Sequence, residues 1–368
     1  MKSATLKKNN HIAMNEALFY HTIVVAARGS YASIKKYRGR AESWEEAYHL
    51  LRAGTFSLAG PLPDPFREYE RLDQLGIRLA LIGQKEYPEV LRHIPHPPFG
   101  IYLRGNTISA IAEMQNSTEM MPTIAIVGTR RASADGKKLA RSFARELASA
   151  GCTIVSGLAF GIDAAAHEGA LDAGGATIAV LAGGLDVVYP QSHDALARRL
   201  LANGGTLISE YPPGEEPFGY RFIERNRIIS GISRGALIIE APESSGALAT
   251  ARFAVEQNRD VFVMPGSVSA SNFKGSHALI RQGAELVTSS DDILRAYCID
   301  KKKSISMSGS ASSLEETLIL KALADIRIPA DVDKLIATTR LEPRIVNQAL
   351  SFLMMRGIVK ELDGGYTI

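Results

Sequence analysis

The sequence is poor in cysteine, in net charge and in long apolar runs, and each shortage removes a class of protein. Only two cysteines occur in 368 residues, Cys152 and Cys298. Cys152 lies in an apolar run and Cys298 follows Tyr297. Neither forms a Cys-x-x-Cys pair, which argues against a disulfide framework and against a metal site, and fits a reduced, cytoplasmic setting. No stretch approaches the ~20 apolar residues that a membrane helix needs. Lys2, Lys7 and Lys8 lead into a segment broken by Asn15, Glu16 and His21, so no secretory leader is expected. The formal net charge is only +3. A polyanion partner would therefore have to meet a local basic patch rather than a global field.

What is present is the composition of a globular protein, 46% hydrophobic and 22% charged, long enough for two or three domains. Residues 1–75 read as an N-terminal helical domain. Asn15–Ala27, Tyr31–Tyr37, Ser43–Ala53 and Pro65–Leu75 carry apolar positions at helical spacing, punctuated by Gly29, Gly39, Gly54 and Gly60. Residues 76–122 form a connector with strand character at Ile77–Ile82 and Tyr102-Leu103. Residues 123–298 alternate strand and helix. The runs Thr123–Val127, Thr153–Val155, Thr177–Leu181, Thr206–Ile208, Ala236–Ile239 and Val261–Met264 are short, continuous and apolar, as strands buried on both faces should be. The fold class expected is α/β, a parallel sheet covered by helices on both sides. Residues 299–313 are a Lys/Ser/Gly linker. Residues 314–368 carry three helical segments and a strand pair turning at Asp363-Gly364, the pattern of a winged helix.

Ligands of open parallel sheets sit beyond the carboxyl ends of the strands, and here several of the six ends carry glycine beside hydroxyl or basic residues. They read Gly128-Thr129-Arg130-Arg131, Ser156-Gly157, Gly183-Gly184, Ser209-Glu210, Ser245-Gly246 with Thr250, and Pro265-Gly266-Ser267. Glycine lets backbone N–H groups approach a ligand, and helix N-termini favour an anion such as phosphate. A single glycine of this kind is as well explained by a tight turn; several in succession are not. Neither the dinucleotide fingerprint G-x-G-x-x-G nor the P-loop G-x-x-x-x-G-K-[ST] is matched. NAD and ATP are disfavoured, and no cofactor is expected.

The segment Phe218–Arg234 holds Arg221, Arg225, Arg227 and Arg234 against one acid, Glu224, with Phe218, Tyr220 and Phe222 interleaved. Guanidinium groups pair with phosphates and aromatic faces stack on unpaired bases, so this pattern suits single-strand binding. The competing reading is that Arg225 or Arg227 pairs inside the fold with Asp163, Asp186 or Glu240, which leaves Arg130 and Arg221 as the better phosphate ligands. No catalytic residue stands out. His167 lies one turn after Asp163 and suits an internal bond, and Ser156 and Ser245 lack an evident base.

Ile126-Val-Gly-Thr-Arg130, Ser156-Gly-Leu-Ala-Phe-Gly-Ile-Asp163 with His167, Ile178–Asp186 with Tyr189-Pro190, Ile208–Gly214, Arg225-Asn226-Arg227-Ile-Ile-Ser-Gly231, Glu240-Ala241, Ser245-Gly246 with Thr250, and Val263-Met-Pro-Gly266 together resemble the DNA-processing A (DprA/Smf) family. The resemblance spans about residues 76–295. It implies an extended Rossmann-type sheet between a sterile-alpha-motif-like helical domain and a C-terminal winged-helix domain. It also implies a non-enzymatic protein that binds single-stranded DNA, forms a homodimer and loads RecA recombinase onto incoming DNA during natural transformation. The family's phosphate pocket falls on Gly128, Thr129, Arg130, Ser156, Gly157, Ser245, Gly246 and Thr250, and its base-stacking aromatic on Phe222. Arg221, Arg225, Asn226 and Arg227 complete the expected DNA-binding set. Two departures concern the same loop: Gly219 stands where a basic residue is usual, and Ile223-Glu224 where the family often has proline. The main rival is a nucleotide phosphoribohydrolase of the lysine-decarboxylase-like type. Its P-G-G-x-G-T-x-x-E signature is broken here at Pro265-Gly266-Ser267-Val268.

Overall fold

The computed structural model describes residues 15–56, 58, 60–105, 121–299, 314–326, 329–355, 358–362 and 365–367. The linker 300–313, most of the segment 106–122, the turn Asp363-Gly364 and Arg356 lie outside the described residues. The chain divides into two compact units, 1–299 and 300–368.

The first unit is built on a nine-stranded sheet. Its strands are β1 (Arg78–Leu81), β2 (Gly100–Gly105), β3 (Thr123–Gly128), β4 (Thr153–Ser156), β5 (Thr177–Leu181), β6 (Thr206–Ser209), β7 (Gly235–Ile239), β8 (Asp260–Val263) and β9 (Glu285–Leu286). The order is β1-β2-β6-β5-β4-β3-β7-β8-β9. From β6 to β9 every pairing is parallel, while β2 runs antiparallel to both β1 and β6. The strand β9 and the helices Lys274–Arg281 and Ser290–Ala296 were not separable in the sequence. They are short, and the two residues of β9 are both exposed, so no apolar run marks that strand.

The continuous apolar runs are explained by burial on both faces. Ile124 and Ile126 of β3 pack with Phe143 and Leu147 of the Ala134–Ser149 helix on one side. Ala125 and Val127 pack with Ile228 and Ile229 of the Gly219–Gly231 helix on the other. The N-terminal helices extend the first of these layers. Tyr20, Ile23, Trp44 and Leu51 share one hydrophobic cluster with Leu79, Tyr102, Leu181 and Leu207 of the sheet. They therefore cover the β1–β5 side of the sheet as part of the same core. Helix starts follow their caps: Ser30, Ser43 and Asp64 each accept a first-turn N–H, as short polar side chains at that position do.

The second unit holds the helices Leu314–Ile326, Val332–Thr339 and Pro343–Met355 and the antiparallel pair β10 (Lys360–Leu362) and β11 (Gly365–Thr367). Its core is its own, with Ile319, Leu323, Leu335, Val346, Leu350 and Leu353 buried together.

Candidate nucleic-acid interface

The strand order reverses between β3 and β7. From β3 the chain winds one way through β4, β5 and β6, and from β7 the other way through β8 and β9. A crevice outside the carboxyl ends at such a switch point is where open α/β sheets bind ligands. A cleft of about 470 Å³ lies there. Its walls come from Gly128–Arg131 at the end of β3, Ala159 and Asp163 after β4, Pro242 and Ser244–Ala247 after β7, and Phe222, Arg225 and Asn226 of the Gly219–Gly231 helix. The first turns of three helices, beginning at Ile162, Gly219 and Ala247, contribute lining residues; the first two have no side-chain cap, and at the third the Ser245 hydroxyl accepts the N–H of Ala247 at 3.2 Å. Helix N-termini carry partial positive charge and unpaired N–H groups, which suits an anion.

The loop after β3 is held from beneath by Glu240. The backbone carbonyl of Glu240 accepts the N–H of Thr129 at 2.8 Å. Its carboxylate accepts the N–H of Ser133 at 2.8 Å and the hydroxyl of the same serine, and the amide of Asn272 at 3.3 Å. Ser133 in turn caps the Ala134–Ser149 helix. Glu240 adopts a left-handed φ of 50° to do this, a conformation that costs energy in a non-glycine residue. Gly128 has no room for a side chain, because a Cβ would lie 1.9 Å from the carbonyl oxygen of Ile239.

Arg130 is exposed at the cleft, and its guanidinium lies 4.3 Å from the centre of the Phe222 ring. Tyr189 flanks the same ring at 5.7 Å. Arg225 sits deeper. It donates to the carbonyls of Gly157, at 2.9 Å, and Val180. Burial lowers its pKa to about 10, opposed by the Asp163 carboxylate, so it remains a cation at neutral pH. Asp163 accepts the N–H groups of Gly157 and Ala159 at 3.1 and 3.4 Å. Its pKa is raised by burial, against the pull of Arg225. Asn226 donates to the carbonyl of Gly246 at 3.2 Å, tying the arginine helix to the start of the Ala247–Glu256 helix.

Nine of the thirteen expected site residues line this cleft: Gly128, Thr129, Arg130, Phe222, Arg225, Asn226, Ser245, Gly246 and Thr250. The other four are turned to the fold. The Ser156 hydroxyl, fully buried, donates to the carbonyl of Ile126. Gly157 packs directly on the Arg225 guanidinium, with no space for a Cβ. Arg221 is 2% exposed; it pairs with Glu215 at 2.7 Å and donates to the carbonyls of Arg28 and Glu216. Arg227 pairs with buried Glu210. Of Arg221 and Arg225, which the sequence ranks in that order, only Arg225 lines the cleft, and it is itself 3% exposed. The internal bond of His167 also differs from expectation. His167 meets Thr177 at 2.7 Å rather than Asp163. Because that hydroxyl already donates to Ile154, the proton lies on Nδ1.

The remaining glycine-bearing strand ends serve neighbouring loops. Asp186 accepts the N–H of Gly214 at 2.9 Å, and Gly266 packs flat against Phe273. Arg131, Asp163, Ile223 and Ser244 line the cleft but were not among the expected ligands. Arg131 had a signal in its place beside Arg130 and Asp163 in closing the Ser156–Asp163 motif; Ile223 and Ser244 had none beyond their proximity to a motif. Among the described residues no group of three His, Cys, Asp or Glu side chains could hold a metal ion, and no helix is long and apolar enough to cross a membrane.

The family model described as DNA recombination-mediator protein A matches residues 78–298. The chain belongs to that family. Protein Smf of Escherichia coli is 42% identical over 223 residues, covering 61% of this chain and 57% of the relative. DNA processing protein DprA of Streptococcus pneumoniae is 41% identical over 211 residues, 57% of this chain and 71% of the relative. The chain thus spans little more than half the length of its Escherichia coli relative. Among solved structures, the Streptococcus pneumoniae DprA aligns with a TM-score of 0.57 at 33% identity, over 72% of this chain and 86% of that one. DNA processing protein A of Helicobacter pylori, which binds single-stranded DNA, aligns with a TM-score of 0.51 at 28% identity, over 60% of this chain and 96% of that one. The whole cleft lies inside the matched region.

Proposed function

We propose that this recombination-mediator family member binds single-stranded DNA at the β3–β7 cleft and acts without catalysing a reaction. The observation that carries the reading is the meeting, at one switch-point crevice, of three helix starts, three arginines and a ring. Phosphate is held by Arg130, Arg225 and the glycine-lined turns at Gly128-Thr129 and Ser245-Gly246. Phe222 stacks on an unpaired base. Arg221 and Arg227 act as fold ion pairs. The single-strand binding of the Helicobacter pylori relative supports this reading.

The family's description as a recombination mediator supports the wider role: a cytoplasmic homodimer that protects incoming single strands and loads RecA recombinase during natural transformation. The second unit is read as a winged helix with an auxiliary part, contacting duplex or a partner protein.

Anisotropy with labelled oligo-dT across a salt series tests the core of the proposal. Binding should weaken with salt at a log–log slope near −0.7 per neutralised phosphate. Equal affinity for single strand and duplex, or turnover of nucleoside monophosphates, would sink it in favour of a nucleotide-processing enzyme. RecA loading is tested by whether the protein shortens the lag of RecA filament growth on single strands.

A further inference from the structure

A second cleft, of about 500 Å³, opens on the far side of the 157–161 loop and is lined by Lys137, Lys138, Arg141, Phe160, Glu168 and His193 among others. Its two sides have different chemistry. Lys137 and Lys138, in the first turns of the Ala134–Ser149 helix, are exposed and carry no ion pair among the described residues. Arg141, one turn on, is already committed to Glu168 and Asp172, so the acid in the cleft is neutralised within it. Facing them is Phe160, 47% exposed. Its ring is pinned by the His193 ring at 4.9 Å in an edge-on contact, and His193 is itself bonded to the carbonyl of Leu158 at 2.8 Å. A positioned, uncovered aromatic beside free cations is the surface a nucleotide needs, with a ring for the base and ammonium groups for the phosphates.

The two clefts share a wall. Ala159 lines the first and Phe160 the second. Gly161, at a φ of 81°, lies so close that a Cβ would sit 2.4 Å from the carbonyl oxygen of Thr129. The loop that carries Phe160 is therefore pressed against the loop that carries Arg130. Arg131, exposed on the first cleft, leads through Ser133 into the helix that bears Lys137 and Lys138.

Resting on the single-strand reading above, we infer that the Lys137–Lys138–Phe160 cleft is a second nucleotide subsite, reached when a strand seated at Arg130 continues over the 157–161 ridge. An acidic peptide would use the lysines but leave the Phe160 face unexplained, so the nucleic acid is favoured.

The test uses the full chain and labelled oligo-dT of about 4 and about 16 nucleotides. On the longer strand, Lys137→Ala with Lys138→Ala should flatten the salt slope by about 1.4, two contacts at 0.7 each. Phe160→Ala should weaken binding about 5- to 150-fold, and Phe160→Trp should restore it. The short strand should bind all variants as it binds the parent. Parent-like binding of the long strand by the variants overturns the inference. So does an equal loss on both lengths, or lysine-dependent capture of polyglutamate with long-strand binding unchanged. If the parent binds neither strand, it is the single-strand reading itself that fails.

Discussion

At the residue scale, the arginines divide by what each guanidinium has already bonded. Among the described residues Arg130 has no hydrogen-bond or ion-pair partner for its guanidinium, which lies over the Phe222 face, a contact worth about 0.5–1 kcal/mol at an exposed site and readily exchanged for a phosphate. Arg130→Ala should therefore flatten the salt slope on oligo-dT by about 0.7, and Phe222→Ala should cost about 1–3 kcal/mol on single strands but much less on duplex. Because the two side chains touch, their losses should not add; a double-mutant cycle should show a coupling of at least about 0.5 kcal/mol. A coupling of zero would mean that strand binding separates the pair. Arg227 behaves oppositely. Its partner Glu210 is buried, with its pKa raised by desolvation against the pull of Arg227, so Arg227→Ala strands a carboxylate and should cost about 3–5 kcal/mol of stability in urea melts. The salt slope of the folded fraction should stay at the parent value. Sequence could supply the arginines and the alternation with aromatics. It could not say which would be buried, because the Arg28 carbonyl comes from 193 residues away, and the pairings with Glu215 and Glu210, 6 and 17 residues off, depend on how the chain between β6 and the helix folds back.

At the scale of the element, the β3–β7 part of the sheet was the most legible. Strands covered on both faces are apolar along their middles, here with buried Thr or Ser only at their ends, and that leaves a continuous signal of Val, Ile and Leu in the sequence. The cleft's glycines were legible for the same reason, since they interrupt that signal at fixed places. The device that shapes the loop after β3 was not. Glu240 is an acid at a strand end, and nothing local says that its carboxylate reaches 107 residues back to Ser133. Its effect should be measurable apart from any contact with DNA. Glu240→Gln keeps the volume but replaces one of the two accepting oxygens by an NH2 donor, which then faces either the N–H or the hydroxyl of Ser133. We expect a loss of about 1–3 kcal/mol in thermal or urea unfolding, together with weaker oligo-dT binding as the Gly128–Ser133 loop loosens. Unchanged stability with unchanged binding would show that the loop is held by its backbone bonds alone.

At the scale of the whole molecule, acid sensitivity should have a specific source. Burial lowers the His167 pKa from 6.5 to about 3 and that of His21 from 6.5 to about 4. Both are neutral in the fold, so below pH 6.5 the unfolded chain takes up protons that the folded chain refuses. Each contributes stability above its unfolded value that is lost as pH falls, at about 1.4 kcal/mol per unit. Asp163 and Glu210, with raised values, act in the opposite direction, so the histidine effect is best seen as a difference: His167→Gln should shallow the fall of the urea midpoint between pH 6 and 4. The last expectation concerns the division of labour between the units. Among the described residues, 1–299 enclose three hydrophobic clusters and 300–368 enclose one of their own. Every residue lining either cleft belongs to the first unit. In the second, the Pro343–Met355 helix offers Arg344, Asn347 and Gln348, a sparse set for reading a major groove. Deleting 300–368 should thus leave a cooperatively folded protein that retains oligo-dT with the parent's salt slope, while any duplex or partner binding is lost. If the truncated chain melts as a single transition yet releases the strand, the switch-point cleft is not where the strand is held, and its helix starts must serve another anion.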